Sequence, residues 1–266
     1  NPVAGYKNTI FSYQNLPKDS QVFSSLNKVF IFKKKGVTTE EIKAAEVLKP
    51  LDPDEIDTVK LRLNGVDYEI LRVGIIQSHS SFIHGVLQAQ NKKYRAMDVS
   101  EKENQVSVVR GKLAGDLTLE EFRKLHDGTI FTKIKNDVSQ KQNKLMGKAL
   151  EEKALKVFQN TLNDTPDSSS GSWMGELEMT EMLSKRYKVN IYVVSVTETL
   201  GDTVFVKPSI LFTKHCKSLY VHKKSVVLLR RAGKDYDLLK PLGSKKTSTF
   251  SSDSEFVQQL YREICG

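Results

Sequence analysis

A small hydroxyl side chain where a strand, a polar loop and a helix meet is a candidate nucleophile, and Ser81 stands in such a place. It lies in Gly74-Ile75-Ile76-Gln77-Ser78-His79-Ser80-Ser81-Phe82-Ile83-His84-Gly85-Val86-Leu87. An apolar stretch runs into a polar loop, and Phe82, Ile83, Val86 and Leu87 then recur at helical spacing. The start of a helix suits such chemistry, because its unpaired amides and dipole stabilise developing negative charge, above all on a thiolate. A second segment, Trp173-Met174-Gly175-Glu176-Leu177-Glu178-Met179-Thr180-Glu181-Met182-Leu183, carries the only tryptophan and precedes the apolar run 189–194. In a third, Val226-Val227-Leu228-Leu229 is followed by Gly233-Lys234-Asp235-Tyr236-Asp237. On a strand, Asp235 and Asp237 share one face.

Other chemistries leave no signature. The chain has no phosphate-binding glycine loop, dinucleotide fingerprint, Gly-x-Ser-x-Gly elbow, Cys-x-x-Cys or His-Glu-x-x-His. His215, Cys216 and His222 come closest to a metal set, but their spacing matches no usual site and a structural zinc wants four ligands. No metal and no cofactor are expected.

The elements that must hold these residues can be read from periodicity. Val59, Leu61 and Leu63 alternate, Asn64-Gly65 is a two-residue hairpin turn, and Val66, Tyr68 and Ile70 return. Helices are predicted after Ser80, over 99–115, after the capping box of Thr118 and Glu121, over 144–162, 175–186 and 254–264. Strands are predicted at 189–194, 203–213, 225–231 and 235–239. Ser78 and Ser80 are candidate helix caps. Interleaved helices and strands indicate an α/β or α+β class. Residues 1–55 read as an N-terminal extension, with a short strand at 29–32 and a helix opened by Thr38 and Glu41. The main domain is 56–266, with a Ser/Lys-rich insert at 243–254.

The three chemical segments together resemble the ovarian-tumour (OTU) family of cysteine proteases, chiefly deubiquitinases, over roughly residues 66–240. Trp173-Met174-Gly175-Glu176-Leu177-Glu178 is similar to the family's Trp-Gly-Gly-x-x-Glu with one glycine replaced. Ser81-Phe82-Ile83-His84-Gly85-Val86-Leu87 resembles the nucleophile helix, most closely in the form found in OTU-like proteins of large DNA viruses. The resemblance implies a papain-like OTU fold, a central twisted, mostly antiparallel sheet flanked by helices. It also implies catalytic positions at Ser78, Ser81, Asp235 and Asp237, and neighbouring positions at Trp173, Gly175, Glu178, His84 and Tyr236. Three of the four catalytic positions depart from the family. Ser81 replaces the cysteine, Ser78 replaces an aspartate, and Asp235 replaces the histidine; Asp237 alone is kept. A carboxylate with an ordinary pKa near 4 is a feeble base toward a serine hydroxyl, and general-base help is worth about a hundred- to ten-thousand-fold. A domain that has lost peptidase activity is therefore expected, with Ser81 and Asp235 still facing each other across a vestigial cleft. Structural roles compete for the same residues: Ser81 as a first-turn residue, His84 as a buried histidine, Trp173 as core and Glu178 as a solvated charge.

Composition narrows the function classes. The 266 residues are 39% apolar and 27% charged, which excludes a wholly disordered chain or a membrane bundle. Two cysteines make no disulfide scaffold, so reduced thiols are the default. The net charge of +9 allows weak nucleic-acid contact, although Lys33–Lys35, Lys92-Lys93, Lys223-Lys224 and Lys245-Lys246 form one surface only if folding gathers them. The expected role is a binding or structural component, with virus structural or ubiquitin-like proteins as partners. An inactive or mutated deubiquitinase and a basic nucleic-acid-associated protein are the alternatives. No membrane span is expected, and an intracellular place, in host cytoplasm or virion and not secreted, fits the absence of a signal peptide.

Overall fold

Alternation of apolar and polar residues sets the inward face of the domain. The computed structural model describes residues 48–141, 145–163, 176–209, 221–231, 235–243 and 247–266, with backbone alone for 176–178. In β1 (Ile56–Leu63), Val59, Leu61 and Leu63 are buried and Lys60 is exposed. β2 (Val66–Gly74) returns antiparallel across Asn64 and Gly65, whose φ angles are 48° and 82°. Two positive φ values in a row are what this dipeptide supplies to a tight hairpin. The register sets Val59 opposite Ile70 and Leu61 opposite Tyr68, so Tyr68, Ile70 and Arg72 also point inward.

The remaining strands are β3 (Asn190–Leu200), β4 (Thr203–Pro208), β5 (Lys224–Arg230), β6 (Tyr236–Pro241) and β7 (Phe250–Ser251). Their order is β3-β4-β1-β2-β6-β5-β7, and β3 also pairs with β5. Six strands thus close into a barrel, with β7 added beside β5. The β1–β4 and β3–β5 pairings are parallel and the others antiparallel. The mixed α/β class and the mostly antiparallel sheet agree with the sequence. Runs 189–194 and 226–230, expected in one sheet, are direct neighbours. Closure differs from the expected central sheet flanked by helices: the β3–β5 pairing leaves an interior filled by side chains instead of two layered faces.

The helices are α1 (Ser81–Gln90), α2 (Lys92–Arg95), α3 (Val99–Asp116), α4 (Leu119–Lys124), α5 (Thr129–Lys141), α6 (Gly147–Asn163), α7 (Glu176–Tyr187) and α8 (Glu255–Cys265). The capping box of Thr118 and Glu121 forms at α4 as read. α5 was given no element by the sequence reading. α1 lies on the outer face of β5 and β6 at a distance only glycine permits comfortably, since a Cβ on Gly85 would stand 2.7 Å from Leu228 Cδ2. α3 to α6 pack on one another, with Phe122 stacked on Phe158 at 5.1 Å. Arg110, buried in α3, ties this layer to the barrel. It donates to the carbonyls of Thr161 (2.9 Å) and Leu162 (2.7 Å) and to Ser80 Oγ (3.0 Å). α8 buries Phe256, Val257, Leu260 and Ile264. Its Phe256 ring lies 4.9 Å from that of inward Tyr68, so α8 covers one end of the barrel.

Some segments differ from their sequence reading. Residues 51–55, assigned to the extension, pack on the barrel. Leu51 is buried, Asp54 N–H donates to Gly74 O (2.9 Å), and Gly74 N–H donates to Glu55 O (2.8 Å). The approach requires glycine: a Cβ on Gly74 would fall 1.9 Å from the carbonyl oxygen of Asp52. Within the supposed 243–254 insert, Phe250 and Ser252 are buried and β7 forms. Cys265 is disulfide-bonded, against the reduced thiols that composition suggests. The strand at 29–32 and the helix opened by Thr38 lie outside the described residues.

Candidate functional site

The loop before Ser81 and the segment around Tyr236 meet. Gln77 joins them: its Nε2 donates to Tyr236 O at 2.6 Å, and its Oε1 accepts from Tyr236 N–H at 3.3 Å. The Phe82 and Tyr236 rings pack edge to face, 5.7 Å apart. At the helix start, however, the Ser81 hydroxyl is used by its own turn. It donates to Ser78 O (2.5 Å) and accepts from Ser78 N–H (2.7 Å). Ser78 Oγ accepts from Ser80 N–H at 3.0 Å. Ser80, the residue before the helix, makes no side-chain cap. Ser81 is 1% exposed, so its oxygen is neither free nor open to a substrate.

The expected Ser81–Asp235 pair is not made. Asp235 is exposed, and its carboxylate has no hydrogen bond or ion pair among the described residues. The reason is strand alternation. Tyr236 turns toward α1, where its ring buries against Phe82, so its neighbour Asp237 turns inward. The register agrees: Asp237 lies opposite Gly74, which shares the face of Arg72 and Ile70.

Inside the barrel Asp237 is fully buried between two guanidinium groups, Arg231 Nε at 3.0 Å and Arg72 Nη1 at 3.5 Å. Arg72 also reaches Asp57 at 3.4 Å. Neither Asp237 oxygen accepts a well-directed hydrogen bond. Burial therefore outweighs both arginines and raises the Asp237 carboxyl from 3.8 to about 6, and burial likewise lowers Arg72. Sequence reasoning missed Arg72 and Arg231. The available signal was phase, since Arg72 stands two residues after Ile70 on the face set by Val59 and Leu61.

His84 is buried in α1, and its Nδ1 bonds the Tyr94 hydroxyl. Burial first, then the charges of Lys102 and His79, lowers it to about 4, so the ring is neutral at pH 7. Around it, Lys102 Nζ meets Asp54 Oδ2 at 2.6 Å and lies 5.7 Å over the Tyr94 ring, while Gln88 donates to Asp54. This network fastens residues 51–55 to α1 and α3. It encloses no space large enough for a water, so it has no room for a substrate.

Trp173 and Gly175 lie outside the described residues; Glu178 falls in the first turn of α7, and its side chain is likewise outside them. Among the described residues no three His, Cys, Asp or Glu side chains are grouped to hold a metal. A groove of about 390 Å³ opens elsewhere, between α3, α4 and α7. Its floor is Leu113, Leu117, Leu125 and Met182, and its rim charges pair as Lys185–Glu121 and Arg186–Asp116. Among the described residues, none of those matched to the protease motifs lines it. No family model and no curated protein matches the chain. No described helix is long and apolar enough to cross a membrane.

Proposed function

We propose that the chain is an OTU-like, papain-like domain that has lost peptidase activity and serves as a binding or structural component. Its partners on this reading are virus structural or ubiquitin-like proteins. The observation that carries it is the Ser81 hydroxyl, bonded twice to Ser78, buried, and separated from both carboxylates of the third motif. A serine nucleophile needs a base within hydrogen-bond reach, and the matched positions supply none. The disulfide at Cys265 favours a virion over host cytoplasm, because disulfides persist at oxidising surfaces.

Incubation of the purified chain with ubiquitin chains tests the loss of activity, and a ubiquitin-binding titration tests the retained surface. No hydrolysis is expected from the unmodified protein. The double substitution Ser81→Cys with Asp235→His is expected to gain no reactivity toward a thiol-directed ubiquitin probe, since position 235 does not face position 81. Turnover by the unmodified chain, abolished by Ser81→Ala, would overturn the proposal.

A further inference from the structure

Folding gathers lysines that the sequence disperses. Phe82 meets Tyr236 and Gly85 meets Leu228, so α1 runs toward the start of β5 and the end of β6. These two strands are antiparallel, which puts Lys224 and Lys240 at the same end of the barrel. α2 follows α1 directly and carries exposed Lys92 and Lys93. Arg95 of α2 donates to Ser248 Oγ at 3.1 Å, and three residues later Ser251 pairs with Lys224. Direction agrees with position. Ser225 faces inward opposite Asn190, so Lys224 faces outward; Lys240 follows Tyr236 and Leu238 on the outward side.

Lys92, Lys93, Lys223, Lys224 and Lys240 form no ion pair with any described acid. The acids closest in sequence to α2, Asp98 and Glu101, are bound to each other's backbone in the capping box of α3. On the sheet, Glu69 lies diagonally from Lys240 across β2. Exposed Glu103, close enough to Tyr94 to act on it, and exposed Asp253, next to Ser252 whose N–H donates to Lys223 O, offset part of this charge. Five lysines against these two acids and Glu69 keep a positive excess. Two aliphatic side chains stand beside it: Val221 is 64% exposed just before Lys223, and Leu242 is 49% exposed just after Lys240 and Pro241. The aromatic ring of α2, Tyr94, is buried, so it gives nucleic-acid bases nothing to stack on. Exposed aliphatics add nothing on a phosphate backbone, but they gain by entering the boundary between headgroups and acyl chains.

We propose that this end of the barrel docks on a lipid bilayer carrying anionic headgroups, with the lysines over the headgroups and Val221 and Leu242 inserted between them. This does not depend on the OTU-like reading. Each lysine near such a surface contributes about a fivefold gain in partitioning. The test is flotation of the full chain with phosphatidylcholine vesicles, with and without about one-third phosphatidylserine. Binding is expected only to the anionic vesicles and is expected to fall at high salt. Lys92→Glu, Lys93→Glu, Lys223→Glu and Lys224→Glu together should reduce it by about a hundredfold or more. Lys133→Glu, Lys141→Glu, Lys153→Glu and Lys156→Glu, an equal charge change on α5 and α6, should reduce it far less. Val221→Ser with Leu242→Ser should weaken vesicle binding several-fold at unchanged charge, and a thermal melt verifies that each variant is folded. Three results would overturn the proposal: no flotation, equal losses in both lysine sets, or tighter binding to a DNA or RNA duplex that ignores Val221→Ser and Leu242→Ser.

Discussion

Replacing Asn190 with leucine should destabilise the end of the barrel that carries Lys223 and Lys224. Asn190 is fully buried at the start of β3 and holds three segments together. Its Nδ2 donates to His222 O (2.7 Å) and Ser252 Oγ (2.9 Å), and its Oδ1 accepts from Val221 N–H and His222 N–H, both at 3.0 Å. Leucine fills a similar volume and makes none of these bonds. Ser252 Oγ still donates to His222 O at 2.7 Å, so that carbonyl stays satisfied, and exposed Val221 lets water reach one freed amide. Four bonds at about 1 kcal/mol net, less this rescue, give a loss of about 2–3 kcal/mol. For a domain of this size that lowers the melting temperature by roughly 4–12 °C. Asn190→Asp separates the acceptor role from the donor role. It keeps an oxygen for the two amides but turns the other toward His222 O, which has no proton to give. Ionisation is thereby disfavoured in the folded state, and the folded pKa rises above the unfolded value. The folded variant then holds a proton that the unfolded chain releases, so stability is greatest at low pH and is lost as pH rises through the folded pKa. Thermal melts at pH 5 and 7.5 should show Asn190→Asp recovering part of its loss at the lower pH and Asn190→Leu recovering none. A leucine variant melting within about 2 °C of the parent, or an aspartate variant with no pH dependence, would refute the reasoning.

Gly74→Ala should cost about 1–3 kcal/mol by overpacking, because the backbone of Asp52 cannot yield as a side chain would; limited proteolysis should then cut first within 51–55. The raised Asp237 carboxyl has a defined pH consequence. The folded chain retains this proton between about pH 4 and 6 while the unfolded chain loses it, so the group's contribution is full below about pH 4 and falls as pH rises through about 6. Buried His84, lowered to about 4, contributes with the opposite sign over this range, so the difference between variants is what tests it. Urea unfolding at pH 4.5 and 7 should show Asp237→Asn gaining stability relative to the parent as pH rises. Replacing the whole cluster, Arg72→Met with Asp237→Leu and Arg231→Met, should leave stability unchanged or raise it by about 1–4 kcal/mol; a large fall in melting temperature would show that its charges are net stabilising.

Local chemistry made much of the fold legible. Asn64-Gly65 marks the first hairpin, Thr118 and Glu121 mark α4, and Phe256, Val257, Leu260 and Ile264 mark α8, because each signal is complete within a few residues. Barrel closure is different. It depends on β1 meeting β4 and β3 meeting β5 in parallel, across more than 30 positions for the second pair and more than 140 for the first, and no local pattern encodes that. α5 was missed because its buried Ile130 and Val138 are diluted among lysines and polar residues. β7 was missed because Phe250 and Ser251 sit in a Ser/Thr/Lys-rich run, and what buries Phe250 is β5 and the Phe256 ring.

The candidate site divides along the same line. The Ser81 loop lies beside the Tyr236 segment, joined to it by Gln77, which needs only proximity to bond a backbone. Side-chain direction was decided by a competition that the motif does not contain. At the start of β6 either the tyrosine or the two aspartates can face α1, and Phe82 and the apolar underside of that helix favour the tyrosine ring. Once Tyr236 faces α1, Asp237 must lie in the barrel, and a carboxylate there requires countercharge. Arg72 on β2 and Arg231, just past the end of β5, stand at the height where they supply it. The same choice leaves Ser81 without an acidic neighbour, so its hydroxyl closes on Ser78. The buried ion cluster and the silent serine thus follow from the orientation of one strand.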